Sequence, residues 1–109
     1  MYAIAFDLDY ECLRRHYNGS APNHAYDDIR RVLESFGFWH QQGSLYFGDA
    51  KKVDSVTCVL AVQEIGNRHP WFKRVVNDIR MLRIEDNNDL MPAVGDLELP
   101  LEVPKSAAE

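Results

Sequence analysis

The stretch Tyr2-Ala3-Ile4-Ala5-Phe6-Asp7-Leu8 near the start of the chain decides the fold class. It is short, apolar and uninterrupted by glycine or proline, which is typical of a buried strand. Alternation along a strand divides it into a bulky face and a small face that carries Ala3, Ala5 and Asp7. We expect the bulky face to pack on helices. The small face is too apolar for open water, so it could lie against a second subunit.

The pattern downstream predicts two helices, a hairpin and a last strand. The predicted ranges are a helix over 23–36, strands over 38–41 and 44–47 joined at Gln42-Gly43, a helix over 53–67 and a strand over 79–85. The order βαββαβ is that of an α+β, ferredoxin-like sandwich with an antiparallel sheet. Right-handed crossovers put both helices on one face of this sheet. A chain this small must cover the other face, so we expect it to dimerise there.

Two regions fit this scheme less closely. In the connector over 10–22, Leu13 and Tyr17 are spaced for a short helix. We assign the ferredoxin-like domain to residues 1–90 and treat 91–109 as a C-terminal extension. In that extension Leu97, Leu99, Leu101 and Val103 alternate with Glu98, Pro100 and Glu102. This alternation predicts either an edge strand added to a partner or a disordered tail.

Composition limits the classes of function. The chain has 109 residues, enough for one domain, and no apolar run long enough to span a bilayer. The N-terminus lacks the basic lead of a secretory signal. Cys12 and Cys58 match neither a zinc site nor a disulfide framework, so we expect a cytoplasmic protein with reduced thiols. The net charge of −5 argues against strong non-specific binding to nucleic acid, although it leaves room for a local basic patch.

Asp7 is the main candidate for chemistry. It ends an apolar strand, and a carboxylate in apolar surroundings must be paired, bound to a metal or functional. The alternative is that Asp7 only accepts backbone hydrogen bonds at the strand end. Asp9 lies two residues on, so we expect both carboxylates to point the same way.

Sharper motifs are absent or incomplete. A calcium loop starting at Asp7 would need glycine at its sixth position, where Cys12 stands. The Asp-x-Asp of haloacid-dehalogenase phosphatases is present locally, but the chain is too short for that fold and its other motifs. No histidine has zinc-ligand spacing, and His40 is a candidate proton carrier. Tyr46 could stack on a base, although an aromatic residue on a hairpin is more often part of the core.

Several segments together resemble the virulence-associated protein D (VapD) family. They cover residues 1 to about 90 in order, and the tail is not covered. The matching segments are Met1-Tyr2-Ala3-Ile4-Ala5-Phe6-Asp7-Leu8, Ala25-Tyr26-Asp27-Asp28-Ile29-Arg30, Gln42-Gly43-Ser44-Leu45-Tyr46, Trp71-Phe72-Lys73, Val76-x-Asp78-Ile79-Arg80 and Ile84-Glu85-Asp86.

The resemblance implies a ferredoxin-like homodimer, related in fold to the small CRISPR-associated nuclease of the adaptation machinery. It also implies an endoribonuclease toxin, with a protein antitoxin as a further partner. The family's acid at the end of the first strand maps onto Asp7, and Lys73 and Arg80 map onto basic positions that would hold RNA phosphate. Two copies of Asp7 near a dimer axis could bind Mg²⁺ or another divalent cation, or one could act as a base.

Two other classes of function remain open at this stage. The same fold could be a non-catalytic scaffold that binds nucleic acid or an antitoxin, which the acidic net charge and the lack of a catalytic triad favour. It could also be a scaffold for nucleic-acid integration, which would need a partner integrase.

Overall fold

The computed structural model describes residues 1–17 and 21–95, and they form one four-stranded sheet with its two crossover helices on one side. The strands are β1 (Tyr2–Leu8), β2 (Phe38–Gln42), β3 (Leu45–Gly48) and β4 (Val76–Arg83). The helices are α1 (Tyr10–His16), α2 (His24–Ser35), α3 (Ser55–Arg68), α4 (Phe72–Val75) and α5 (Met91–Gly95).

The sheet has the order β2-β3-β1-β4, with every neighbouring pair antiparallel. This arrangement confirms the predicted ferredoxin-like α+β fold, in which α2 and α3 are the two crossover helices. The predicted short helix of the connector is α1, although residues 18–20 of that connector lie outside the described part.

The last strand and the hairpin differ from prediction in their bounds. β4 begins at Val76 rather than at residue 79, because Val76 pairs with Leu8 of β1. The polar residues after Val76 hid this pairing in the sequence. The hairpin turn is one residue later than predicted, and Gly43 in it has a φ of +48°, which favours glycine.

The core lies between the sheet and the two crossover helices. From β1 it receives the bulky face that the alternation predicted, including Ile4 and Phe6. Ile29 and Leu33 of α2 and Ile65 of α3 are fully buried against it. A capping box starts α3: the Asp54 carboxylate accepts from the Thr57 backbone N–H at 2.8 Å, and the Asp54 N–H donates to the Thr57 hydroxyl at 3.4 Å.

The opposite face of the sheet carries no helix of the crossover pair, and we call it the open face. The register aligns Ala3 with Phe47 and Leu82, so these side chains share that face. Trp39 packs edge-on against Phe47 with ring centroids 5.8 Å apart, and its side chain is 44% exposed. The open face is therefore apolar at its centre.

The segment after β4 passes over the β2–β3 side of the open face. With the sheet it forms an open cleft of about 780 Å³, which Leu45 and Phe47 line on the sheet side and Leu90 and Val94 on the other. The predicted extension thus begins with α5, and the predicted edge strand over 97–103 lies outside the described residues. Within the described ranges, no helix is both long and apolar enough to cross a membrane.

Candidate active site

Asp7 is the penultimate residue of β1, and its side chain lies on the open face. The sequence suggested an acid in apolar surroundings, but in the single chain Asp7 is exposed, because the helices cover the other face. Its carboxylate accepts one long hydrogen bond, from the Asn77 side-chain amide at 3.4 Å. Among the described residues no ion-pair partner of Asp7 is found, so most of the hydrogen-bond acceptor capacity of its carboxylate is available.

Asp78 lies directly opposite Asp7 on β4. Two carboxylates placed opposite each other on one face of a sheet repel and destabilise it. Arg80 compensates one of them, because its Nε donates to both Asp78 oxygens at 3.0 and 3.1 Å. This contact raises the pKa of Arg80, which stays a cation. The pair is therefore asymmetric, because Asp78 has a cation beside it and Asp7 has none among the described residues.

A β-bulge next to Asp7 shapes this end of the sheet. Asp7 is aligned with Asp78, but the following residue, Leu8, is aligned with Val76, so Asn77 is the extra residue. Bulges commonly redirect side chains beside active sites. Here the bulge brings the Asn77 amide to the Asp7 carboxylate.

Asp9 has a different role from the one expected. β1 ends at Leu8, and Asp9 is the N-cap of α1, where its carboxylate accepts from the Cys12 N–H at 2.9 Å. That hydrogen bond is the main cause that lowers the pKa of Asp9. The prediction that Asp7 and Asp9 point the same way was wrong, because it assumed that the strand continues through Asp9.

The two predicted basic residues lie near the Asp7 end of β1 and β4. Arg80 is on the open face, aligned with Ala5, and its side chain is 70% exposed. Lys73 is exposed on α4, the short helix that leads into β4. The last residue of α4, Val75, accepts from the Asp9 N–H at 2.7 Å, which fixes α4 beside the end of β1.

The structure does not place Tyr46 with this group. Its side chain lies on the helix face, 2% exposed, with its ring 6.1 Å from that of Phe6. A buried ring cannot offer a face to a base, so the expected stacking role has no surface in this structure. Burial is the main cause that raises the pKa of Tyr46.

His40 is also engaged on the helix face. Its Nδ1 is 2.9 Å from an Arg30 guanidinium nitrogen, which can only donate, so Nδ1 is the acceptor. Nε2 lies 2.7 Å from the Gly43 carbonyl oxygen, to which it donates. A neutral imidazole satisfies both bonds, and this ring therefore links α2 to the hairpin rather than facing Asp7.

Tyr26 is a neighbour of the site that the sequence did not single out. Burial raises the pKa of its hydroxyl, and the negative charge of Asp7 adds to this effect. The side chain reaches Phe6 from α2, with ring centroids 6.3 Å apart. Asp78 and Asn77 were missed as well, since only the pairing of β1 with β4 brings them to Asp7. The alternation of Asp78 and Arg80 was the one signal of them in the sequence.

The described residues of one chain do not by themselves form a metal centre. No group of three or more His, Cys, Asp or Glu side chains fit to hold a metal occurs in residues 1–17 and 21–95. Asp7 and Asp78 supply two carboxylates, and Asn77 turns its amide nitrogen, a donor, towards Asp7, whereas Mg²⁺ takes six oxygen ligands. Waters or a second chain would have to supply the others.

The known proteins that are similar to this chain all belong to one family. The chain is 49% identical over 95 residues to Endoribonuclease VapD 2 of Riemerella anatipestifer, which covers 87% of this chain and 100% of that protein. It is 50% identical over 94 residues to the Endoribonuclease VapD homolog of Helicobacter pylori, covering 86% and 96%. Endoribonuclease VapD of Dichelobacter nodosus is 37% identical over 94 residues, covering 86% and 97%. No protein-family model matches the chain. Similarity at this level over nearly the full length of these relatives shows that the chain belongs to the VapD family.

Proposed function

We propose that this protein is an endoribonuclease that cleaves single-stranded RNA at a site centred on Asp7. The relatives in its family bear the name endoribonuclease, which supports the class of reaction. The assignment to Asp7 rests on one difference between the two opposed acids Asp7 and Asp78. Of two opposed carboxylates on the open face, Asp7 is the one without a cation beside it.

The chemistry proposed for Asp7 is that of a general base. An exposed carboxylate with free acceptor capacity can take the proton from the attacking oxygen, either a 2′-hydroxyl of the RNA or a water. Lys73 and Arg80 would hold the scissile phosphate, because lysine and arginine bind phosphate through charge-assisted hydrogen bonds. Arg80 would exchange part of its contact with Asp78 for the phosphate.

The proposed active form is a homodimer that buries the open face. Trp39 and Leu82 are 44% and 43% exposed on that face, and large exposed apolar patches mark interaction sites. A two-fold axis across the sheets would bring the two Asp7 side chains towards each other. The two Asp7 carboxylates would then face one space, where together with waters they could bind Mg²⁺ or another divalent cation.

The biological role we propose is that of a toxin in a toxin–antitoxin system, held in check by a protein antitoxin in the cytoplasm. This part rests on the family alone. Expression in a bacterial host tests the toxic effect. Growth arrest should follow induction of the native chain, and should be absent for Asp7→Asn at equal protein level. Equal arrest by both would contradict a toxic effect that acts through Asp7.

The decisive experiment compares the native chain, Asp7→Asn and the control Asp27→Asn on a defined single-stranded RNA, with Mg²⁺ and with chelator. Asp27 is an exposed acid on α2, so its substitution changes net charge equally without touching the site. We expect cleavage to persist in the control and to fall by about 10²–10⁴-fold in Asp7→Asn, the usual contribution of a general base. Cleavage unchanged by Asp7→Asn would reject the site, and loss in the chelator lanes alone would establish a metal requirement.

Dimerisation is tested separately by sedimentation. Leu82→Arg places a charge at the centre of the open face, where two copies would meet. We expect this variant to dissociate more readily than the native chain and to show a larger monomer fraction, whereas Val56→Arg, on the exposed side of α3, should not change the mass. A native chain that is monomeric at micromolar concentration would reject the proposed dimer.

A non-catalytic role is the second candidate, and the net charge of −5 favours it. In that case the protein binds RNA or an antitoxin without cleaving. Binding in a gel-shift assay with intact RNA in every lane, for the native chain and for Asp7→Asn alike, would support this alternative.

A further inference from the structure

A second apolar surface lies away from the candidate active site, between α3 and β4. It is a groove of about 220 Å³, to which α3 contributes Val59 and Val62 and β4 contributes Ile79 and Met81. Val59 and Met81 are 52% and 47% exposed. The groove exists because α3 packs towards α2 and β1, which leaves β4 partly uncovered.

The groove runs beside an edge of the sheet that no described residue pairs with, since among the described strands only β1 lies next to β4. Met1 and Ile84 exchange backbone hydrogen bonds, of 2.7 and 3.4 Å. In an antiparallel pair, bonded residues alternate, so the even-numbered residues of β4 bond to β1. The N–H and C=O groups of Ile79, Met81 and Arg83 therefore point out of the sheet, and the side chains of the same residues point towards the helices.

The chain contains one segment whose pattern fits this edge. Over residues 97–103, leucine or valine occupies every odd position, and Glu98, Pro100 and Glu102 occupy the even ones. We propose that this segment of one chain adds to β4 of a second copy as a fifth, antiparallel strand. Leu101 lies opposite Met81, so that the leucines fill the groove between α3 and β4.

The two prolines agree with this pairing. Residues opposite each other in an antiparallel pair have side chains on the same face, so a tail residue whose side chain fills the groove lies opposite Ile79, Met81 or Arg83. The backbone N–H and C=O groups of those three residues point towards the tail, so the odd-numbered tail residues form the backbone hydrogen bonds to β4. The even residues, including Pro100 and Pro104, then turn their nitrogen away from the sheet. Proline lacks an N–H and is tolerated in edge strands only in that orientation.

Charge agrees with the same register. When Leu101 lies opposite Met81, Glu102 lies opposite Arg80 on the open face. Opposite charges facing each other across strands stabilise the pair. A shift by two residues towards residue 99 would instead place Glu102 opposite Asp78, where two acids would repel.

The position of Val94 favours pairing of the tail with β4 of a second copy rather than with β4 of its own chain. Val94 lies over the β2–β3 side of the sheet, across β1 from β4. A fifth strand beyond β4 is about three strand spacings from β3, or roughly 14 Å, and α5 stands about one layer, roughly 10 Å, above the sheet. The combined path of about 17 Å nearly equals the longest reach of the five residues from Val94 to Leu99. A chain returning to its own β4 would be taut, whereas exchange between two copies needs no such path.

Cysteine cross-linking tests the pairing in the full chain. Arg80 and Glu102 would form a pair whose backbones do not bond to each other, with Cα atoms about 4.5 Å apart, which suits a disulfide. The background is Cys12→Ser with Cys58→Ala. Chains carrying Arg80→Cys and chains carrying Glu102→Cys, with tags of different size, are mixed and oxidised. We expect a covalent dimer of mixed size, and much less of it when Glu98→Cys replaces Glu102→Cys.

Two outcomes would overturn the proposal. No enrichment of the mixed dimer over the Glu98→Cys control would reject the pairing. A chain carrying both Arg80→Cys and Glu102→Cys that loses its thiols while keeping monomer mass would show that the tail returns to its own β4, and would reject the exchange.

Amide hydrogen exchange provides a second, independent readout. The N–H groups of Ile79, Met81 and Arg83 should be protected in the native chain, although no strand within the described residues 1–17 and 21–95 pairs with them. Leu101→Glu should accelerate their exchange by about tenfold or more, and Glu98→Gln should not. The amides of Arg80 and Leu82, which bond to β1, should not change in either variant. Fast exchange at Ile79 and Met81 in the native chain would overturn the proposal.

Discussion

Asp7 on β1 and Asp78 on β4 lie directly opposite each other, and of the two only Asp78 has an arginine beside it. A sheet built for stability alone would not place two acids in this position, because they repel. Arg80 removes the repulsion only in part. The arrangement keeps one carboxylate accessible and uncompensated at the end of an otherwise apolar strand.

The first prediction concerns the coupling between Asp7 and Asp78. In a double-mutant cycle of Asp7→Asn and Asp78→Asn, we expect an unfavourable interaction of about a few tenths of a kcal/mol in the native pair. The value is small because Asp78 is half exposed, and water screens the repulsion. Urea unfolding of the four proteins measures it. Strictly additive effects would show that the two carboxylates do not interact.

The second prediction concerns Lys73. If it contacts phosphate, Lys73→Ala should weaken RNA binding and lower the slope of log K against log salt by about 0.7, the value for one contact to a single strand. Asp7→Asn serves as the binding form, since it should not cleave. Arg31→Ala removes a cation of α2 that pairs with Asp28 at 3.0 Å and should leave the slope unchanged. An unchanged slope in Lys73→Ala would exclude the contact.

The third prediction concerns pH and Tyr17. Burial, and then the hydrogen bond that Tyr17 Oη donates to Asp28 at 2.8 Å, raise the pKa of Tyr17 to about 12. A raised pKa in the folded state means that this stabilisation is complete below the unfolded value near 10 and is lost as the pH rises towards 12. The unfolding free energy should therefore fall between pH 10 and 12.

Tyr17→Phe tests this directly. Below pH 10 the variant should be less stable by about 1 kcal/mol, the usual net value of a hydrogen bond. Between pH 10 and 12 its stability should fall less steeply than that of the native chain. Tyr10→Phe, at an exposed position, is the control and should match the native chain. Identical slopes for all three proteins would contradict the assignment.

The fourth prediction concerns the close approach of Gly48 to Val53. A Cβ on Gly48 would lie 2.7 Å from Val53 Cγ1, which is closer than two carbons can approach. Val53 is only 5% exposed, so it has little room to move. We expect Gly48→Ala to destabilise by about 1–3 kcal/mol, as overpacking does. Val53→Ala in the same chain should recover part of this loss, and a double variant with purely additive costs would show that the contact is not the cause.

Much of the fold could be predicted from the residues. The alternation in β1 identified the face that packs on helices, and Ile4 and Phe6 are buried there. The helix predicted over 23–36 ends just before Gly37, which has a φ of +99°. Helical spacing located α2 to within a residue or two, because an amphipathic helix shows its buried face as a period of 3.6.

The bounds of β4 and the role of Asp9 could not be predicted in the same way. The strand starts where Val76 meets Leu8, and that partner is about 70 residues away in the chain. In the sequence, Asp9 continues the alternation of β1. In the structure, the chain begins α1 there, and the Asp9 carboxylate caps the helix. Local pattern does not contain information about pairing with a distant strand.

By itself the sequence determined the ferredoxin-like order of elements, the buried face of β1 and the candidacy of Asp7, because periodicity and residue type are local properties. Only the tertiary structure decided which groups surround that acid. It brought Asp78 and Asn77 to Asp7 through the pairing of β1 with β4, and it turned Tyr46 into the core. The physical reason is that a strand's neighbours are set by hydrogen bonding between segments far apart in the chain, which shows only after the sheet has formed.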